Sequence, residues 1–157
     1  VIAAIDWLWE WTQHRNKNRM SRQEVMDETK SSEGDPQLRQ QRRQRGQALA
    51  MNRMMADVPG ADVVIVNPTH YAVALRWDRG QWALPVCVAK GVDATAARIR
   101  ARAAETGVPI HSDPPTARAL HAGVEIGGPI RPDHFVAVAA AIRFADAMRL
   151  KARRRRS

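Results

Sequence analysis

Short apolar runs rich in β-branched residues alternate with longer helical patterns over residues 58–150, and this alternation limits the possible folds most strongly. Four runs are predicted to be strands: 61–66, 71–77, 82–89 and 108–111. Three longer segments are predicted to be helices: 93–106, 114–123 and 133–150. Interleaved strands and helices predict an α/β fold with a small four-stranded sheet surrounded by about four helices.

Local signals set the expected ends of these elements. Asp78-Arg79-Gly80 indicates a hairpin-type turn between the second and third strands. Gly107 should stop the first of the three helices, and Asp113 should cap the next. The last helix should turn one apolar face inward, formed by Phe135, Val138, Ala139, Ile142 and Ala145.

Tryptophans crowd the first eleven residues, and basic side chains follow them. Trp7, Trp9 and Trp11 precede His14 and Arg15, a pattern typical of the cytoplasmic edge of a membrane helix. Residues 1–12 are therefore predicted to be the end of a membrane helix or a membrane-interface segment; an amphipathic helix packed on the domain is the alternative. Because the chain begins with valine rather than methionine, we expect it to be part of a longer protein.

Residues 13–57 are predicted to form a long, partly mobile helical linker. Ser21 and Glu24 form a capping box that opens one helix. Asp35 should cap a second helix, with Pro36 at its first position and an end near Met55. Residues 38–47 are almost wholly polar, and a helix without an apolar face is weakly held.

The net charge of +9 is concentrated in the flanks of the predicted domain. Residues 58–148 carry nine Lys and Arg against eight Asp and Glu, whereas residues 149–157 carry six and none. A nearly neutral folded part argues against a nucleic-acid-binding module, which needs a basic face on the domain. Basic flanks suit a position beside an anionic membrane surface. Residues 58–150 are thus predicted to be the compact domain, and 151–157 a basic tail.

The cysteine and histidine content argues against several kinds of site. Cys87 is the single cysteine and lies in an apolar run, which predicts a buried thiol in a protein of a reducing compartment. The five histidines lack metal-ligand spacing, and no Ser-His-Asp or Cys-His arrangement stands out. We therefore expect no metal, no cofactor and no hydrolase activity on other molecules.

Asn67-Pro68-Thr69-His70 lies in the loop between the first two predicted strands. An Asn-Pro pair often marks only a turn. It also has a distinctive chemistry, because proline has no N–H and cannot attack the asparagine side chain as in deamidation. The side-chain nitrogen of Asn67 can instead attack the backbone carbonyl of Asn67. This second route expels the Pro68 nitrogen and cuts the chain.

The two residues after the Asn-Pro pair have different expected roles. Thr69 is expected to shape the turn through its hydroxyl rather than to act as a nucleophile, since no base-and-orienter arrangement accompanies it. His70 either accepts the proton of the attacking amide or only orients the turn, and the sequence leaves both roles open. The candidate site residues are therefore Asn67, Pro68, Thr69 and His70.

The chain resembles the FlhB/YscU family of substrate-specificity switch proteins, in particular its flagellar branch. The resemblance covers about residues 13–148, beyond the four-residue signature. Its similar segments are Glu33-Gly34-Asp35-Pro36, residues 54–75 (MMADVPGADVVIVNPTHYAVAL), Val88-Ala89-Lys90-Gly91 and residues 114–120.

The resemblance implies a domain on the cytoplasmic side of the bacterial inner membrane, attached to a membrane domain. It implies one intramolecular cut between Asn67 and Pro68, after which export changes from rod and hook subunits to filament subunits. A switch protein of a virulence type III secretion system (injectisome) is the alternative. The implied partners are other export-gate membrane proteins, a hook-length control protein, the export ATPase complex and the exported subunits.

An apolar stretch near the end of the domain has two interpretations. Val124, Ile126 and Ile130 either receive a hydrophobic element of an exported substrate or pack into the core beneath the last helix, and core packing is the more common role of such residues.

Overall fold

The fold is known from a computed structural model that describes residues 25–26, 35–81 and 83–155. Contacts divide the chain into a unit of residues 1–48 and a compact unit of residues 49–157. The predicted membrane segment 1–12, the capping box of Ser21 and Glu24, the start of the third predicted strand at Trp82 and the end of the basic tail lie outside the described residues.

Helix α1 runs from Pro36 to Asp57, and its start agrees with the predicted cap. The Gln37 N–H donates to Oδ1 of Asp35 over 2.9 Å, which satisfies one of the unpaired donors at the helix start. Residues 35–48 are exposed, in agreement with the almost wholly polar composition of residues 38–47. From Leu49 onward the helix belongs to the compact unit, because Met54 is buried in its core. The compact unit thus begins before the predicted boundary at residue 58.

The sheet has four strands: β1 (Val63–Asn67), β2 (Tyr71–Arg76), β3 (Val86–Val92) and β4 (Ile110–Ser112). Their order is β3-β2-β1-β4. Strands β1 and β2 are antiparallel, as are β2 and β3, whereas β1 and β4 are parallel. The predicted four-stranded α/β fold is confirmed, and β1 is a central strand with a neighbour on each side.

Three further helices cover the sheet: α2 (Asp93–Thr106), α3 (Pro114–Gly123) and α4 (Phe135–Arg154). Gly107 ends α2 in the left-handed conformation, with φ of 73°, as glycine at this position predicts. Asp113 caps α3 by accepting hydrogen bonds from the backbone N–H and the hydroxyl of Thr116. Both local signals in the sequence are therefore confirmed.

Two apolar clusters lie on opposite faces of the sheet, because successive side chains of a strand point to opposite sides. Val64 and Val66 of β1 belong to the cluster beneath α2 and the end of α1, and Val63 and Ile65 to the cluster beneath α3 and α4. Cys87 is fully buried in the second cluster, as predicted, and burial raises the pKa of its thiol to about 11.

The link between β2 and β3 differs from the predicted hairpin turn. A 3-10 turn over Arg79–Gln81 follows Trp77, whose indole N–H donates to the carbonyl of Ala83 over 2.7 Å. This contact stabilises a longer connection, so β3 starts at Val86 rather than at residue 82 and continues to Val92.

The inward face of α4 was predicted only in part. Val138, Ile142 and Ala145 are buried, but Phe135 and Ala139 are exposed. Phe135 and Ala139 line a groove of about 820 Å³ beside the β2–β3 link. The amphipathic pattern gave the correct direction of the buried face, but not its width.

Candidate functional site

The Asn67-Pro68 bond lies at the tip of the β1–β2 hairpin. Asn67 is the last residue of β1 and pairs with Tyr71, the first residue of β2. The backbone N–H of His70 donates to the carbonyl oxygen of Asn67 over 3.1 Å. Pro68 and Thr69 are thus the central residues of a β-turn. The Asn67-Pro68 bond therefore lies between two paired strands, where the sequence predicted a loop.

Thr69 holds a backbone conformation that a threonine rarely adopts. Its φ is +80°, the value that the third residue of a type II turn requires and that glycine supplies without steric cost. For a β-branched residue this conformation is an outlier. Among the described residues, none forms a hydrogen bond with the Thr69 hydroxyl. Thr69 therefore shapes the turn through its strained backbone rather than through its hydroxyl.

His70 contacts Asp93, a residue that the sequence reasoning did not include in the site. Nδ1 of His70 lies 3.2 Å from Oδ1 of Asp93, and the Asp93 N–H donates to the His70 carbonyl over 2.8 Å. Asp93 also has a positive φ, of +43°. In the sequence Asp93 is only the first residue of a predicted helix, so nothing local connected it with His70.

The turn is open to solvent, and one of its backbone N–H groups donates to the carbonyl oxygen at the bond that would be cut. Asn67 is half-buried, whereas Pro68, Thr69 and His70 are exposed. The carbonyl that the Asn67 side chain would attack is the one that accepts the His70 N–H. A backbone donor at this oxygen stabilises the negative charge that develops there as a tetrahedral intermediate forms. The four predicted residues are thus together in one turn that can support asparagine cyclisation.

The family assignment follows from the sequence as a whole. A profile described as the "FlhB HrpN YscU SpaS Family" matches residues 1–145. This chain belongs to the FlhB/YscU family. Its curated relatives include flagellar biosynthetic protein FlhB of Escherichia coli (strain K12), 47% identical over 138 residues, which are 88% of this chain and 36% of that protein. Hypersensitivity response secretion protein HrcU of Ralstonia nicotianae is 39% identical over 94% of this chain and 42% of its own length.

Solved structures of the FlhB/YscU family have the same fold. The cytoplasmic domain of FlhB from Shewanella putrefaciens is 41% identical, with a TM-score of 0.63 over 67% of this chain and 81% of that domain. A mutated EscU C-terminal domain, with an asparagine replaced by alanine, is 33% identical, with a TM-score of 0.56 over 59% of this chain and 92% of that domain. The chain spans well under half the length of the curated relatives described above.

Three other features bear on the sequence predictions for this family member. Val124 and Ile130 are buried in the core, whereas Ile126 is about half exposed, so core packing describes the first two. No helix among the described residues is long and apolar enough to cross a membrane. In the same part of the chain, no group of three or more His, Cys, Asp or Glu side chains is arranged to hold a metal ion.

Proposed function

We propose that this chain cuts itself once between Asn67 and Pro68 and serves as a switch in the flagellar type III protein export apparatus. The observation that carries the first part is the hydrogen bond from the His70 N–H to the Asn67 carbonyl oxygen, 3.1 Å long, in a turn strained at Thr69. The second part rests on family membership and on relatives named flagellar biosynthetic proteins.

The cut proceeds by cyclisation of Asn67. Its side-chain nitrogen attacks its own backbone carbonyl carbon, a bond forms between these atoms, and the bond to the Pro68 nitrogen breaks. The proton lost by the attacking nitrogen ends on the Pro68 nitrogen, leaving a succinimide at the end of the first fragment. Nucleophile and electrophile belong to one residue, so most of the proximity that such a reaction needs is built in.

The two fragments remain associated after the cut. Strand β1 lies in the first fragment, and both of its neighbours in the sheet, β2 and β4, lie in the second. Val63 to Ile65 are fully buried and Val66 is nearly so. Scission therefore releases the turn and creates two new chain ends without removing β1 from the core.

The cellular role follows the flagellar relatives. The domain is proposed to lie on the cytoplasmic side of the bacterial inner membrane, with residues 1–12 at the membrane and a linker that ends before Leu49. The self-cleaving domain then begins at Leu49, and the basic residues 151–157 follow its apolar core. Its cut permits export to change from rod and hook subunits to filament subunits. Its partners would be export-gate membrane proteins, a hook-length control protein, the export ATPase complex and the exported subunits. The relative HrcU, a hypersensitivity response secretion protein, fits the virulence alternative, but relatives with flagellar names dominate.

Mass spectrometry of the purified chain tests the cut. We expect two fragments, beginning at Val1 and Pro68, that co-elute on size exclusion and separate only in denaturant. Asn67→Ala should stay intact, and Pro68→Ala should cut much more slowly. The rate should rise with pH, because the attacking nitrogen loses a proton. A wild-type chain that stays whole after long incubation at mildly alkaline pH would overturn the proposal.

A further inference from the structure

The turn that carries Asn67 and Pro68 is linked to the start of α2 through contacts between His70 and Asp93. Two non-glycine residues of the described chain have a positive φ, Thr69 in the turn and Asp93 at the first position of α2. They meet at one residue, His70, whose backbone follows Thr69 and whose carbonyl and ring both contact Asp93. A strained residue persists where the surrounding contacts hold it, and such residues concentrate at functional sites.

The carboxylate of Asp93 determines which nitrogen of the His70 ring carries the proton. An ionised carboxylate only accepts hydrogen bonds, so Nδ1 of His70, 3.2 Å from Oδ1, must be the donor. In a neutral imidazole the other nitrogen, Nε2, then has a free lone pair. Asp93 thus holds His70 in the tautomer that can accept a proton at Nε2.

The backbone of Asp93 holds the same residue in place. Its N–H donates to the His70 carbonyl over 2.8 Å, and the His70 N–H donates to the Asn67 carbonyl oxygen. The sheet supports this arrangement, because Tyr71 pairs with Val92 directly beside it. The backbone of His70 is thereby fixed on both sides, to Asp93 at the start of α2 and to the oxygen of the carbonyl that Asn67 would attack.

We propose that Asp93 is a positioning residue for self-cleavage, acting through the imidazole of His70. This inference rests on the proposed cut at Asn67. The Asn67 nitrogen gives up a proton as it bonds to the carbonyl carbon, and the Pro68 nitrogen gains one as it leaves. Nε2 of His70 takes up the first proton and returns the second, so the ring is unchanged overall. His70 is then a base in the reaction rather than only a turn former.

The experiment compares cleavage rates of Asp93→Gly and Asp93→Asn, each with and without His70→Ala. Glycine keeps the positive φ and the backbone N–H but removes the carboxylate. Asparagine tolerates the same backbone region and keeps an acceptor oxygen. Because both side chains are largely exposed, at 65% and 74%, we expect Asp93→Gly to slow the cut only roughly two- to fivefold, with Asp93→Asn close to wild type.

The His70→Ala background separates a role through the ring from a general effect on the fold. His70→Ala keeps the backbone contacts, so all three residues at position 93 should then give the same rate. Equal slowing by Asp93→Gly in both backgrounds would overturn the inference, as would a wild-type rate for Asp93→Gly beside His70. In both cases, cleavage of the wild-type chain would still support the proposed function. A wild-type chain that stays uncut would instead refute the proposed function itself.

Discussion

Replacing Thr69 by glycine tests whether strain in the turn drives the cut. Thr69 has a φ of +80°, which glycine adopts without steric cost. Thr69→Gly should therefore lower the free energy of the uncut hairpin. If the turn loosens as Asn67 reaches its transition state, the variant must climb a higher barrier, and cleavage slows.

The size of the effect follows from the conformation of this one residue. An L residue in the left-handed region costs roughly 1–2 kcal/mol. If the transition state is free of this strain, Thr69→Gly should cut roughly five- to thirtyfold more slowly than wild type, since about 1.4 kcal/mol is a factor of ten in rate. Partial release gives less, so this range is the upper bound for Thr69→Gly.

The assay follows the intact chain by mass spectrometry after expression and rapid purification, at one pH and temperature for each variant. Thr69→Ala is the matched control, because alanine keeps the unfavourable φ but removes the hydroxyl. We expect Thr69→Ala to cut at close to the wild-type rate and Thr69→Gly to cut more slowly. The strain explanation is refuted if Thr69→Gly cuts as fast as wild type, and the hydroxyl is implicated if Thr69→Ala is as slow as Thr69→Gly.

Two further predictions concern the stability of the domain. Cys87 is fully buried and its pKa is raised to about 11, so iodoacetamide at pH 8 should alkylate it only after unfolding, and labelling of the native chain would contradict the packing. The hydrogen bond from Arg79 lowers the pKa of Asp146, and Arg149 adds to the effect. This stabilisation is present above the ordinary carboxyl pKa and is lost as pH falls through the lowered folded value. In urea unfolding, Asp146→Asn should therefore cost under about 1 kcal/mol at pH 7, because Asp146 is partly exposed, and still less in acid. Asp133→Asn is the surface control, and an Asp146→Asn loss that stays constant with pH would contradict the ion-pair explanation.

Local chemistry explains most of what the sequence predicted correctly. Gly107 and Asp113 set helix ends through their own backbone and side chain, so no distant contact was needed to find them. The position of Asn67-Pro68 in a loop follows from the two apolar runs on either side, which pair as β1 and β2. The number of strands likewise follows from the apolar runs alone.

Tertiary contacts explain what the sequence did not reveal. Asp93 reaches His70 only because the pairing of β2 with β3 brings the start of α2 beside the hairpin tip. The groove at Phe135 lies between α4 and the link from β2 to β3, and a helical period carries no information on which distant segment lies beside the helix. The positive φ of Thr69 was hidden as well, since threonine is not a residue type that signals a left-handed turn.

The order of the strands lets the domain keep its fold after the proposed cut, and the cut bond is not expected to re-form. Burying an aliphatic side chain contributes roughly 1.5–3 kcal/mol, so the four buried residues from Val63 to Val66 hold β1 between its neighbours by several times the strain stored at Thr69. Scission therefore relaxes the turn while β1 stays in place. The freed Pro68 end can then move away from Asn67, which removes the geometry needed for the reverse reaction. What changes for a partner is the surface of one hairpin tip and its contact with Asp93, and this is the part of the domain where a switch signal should be sought.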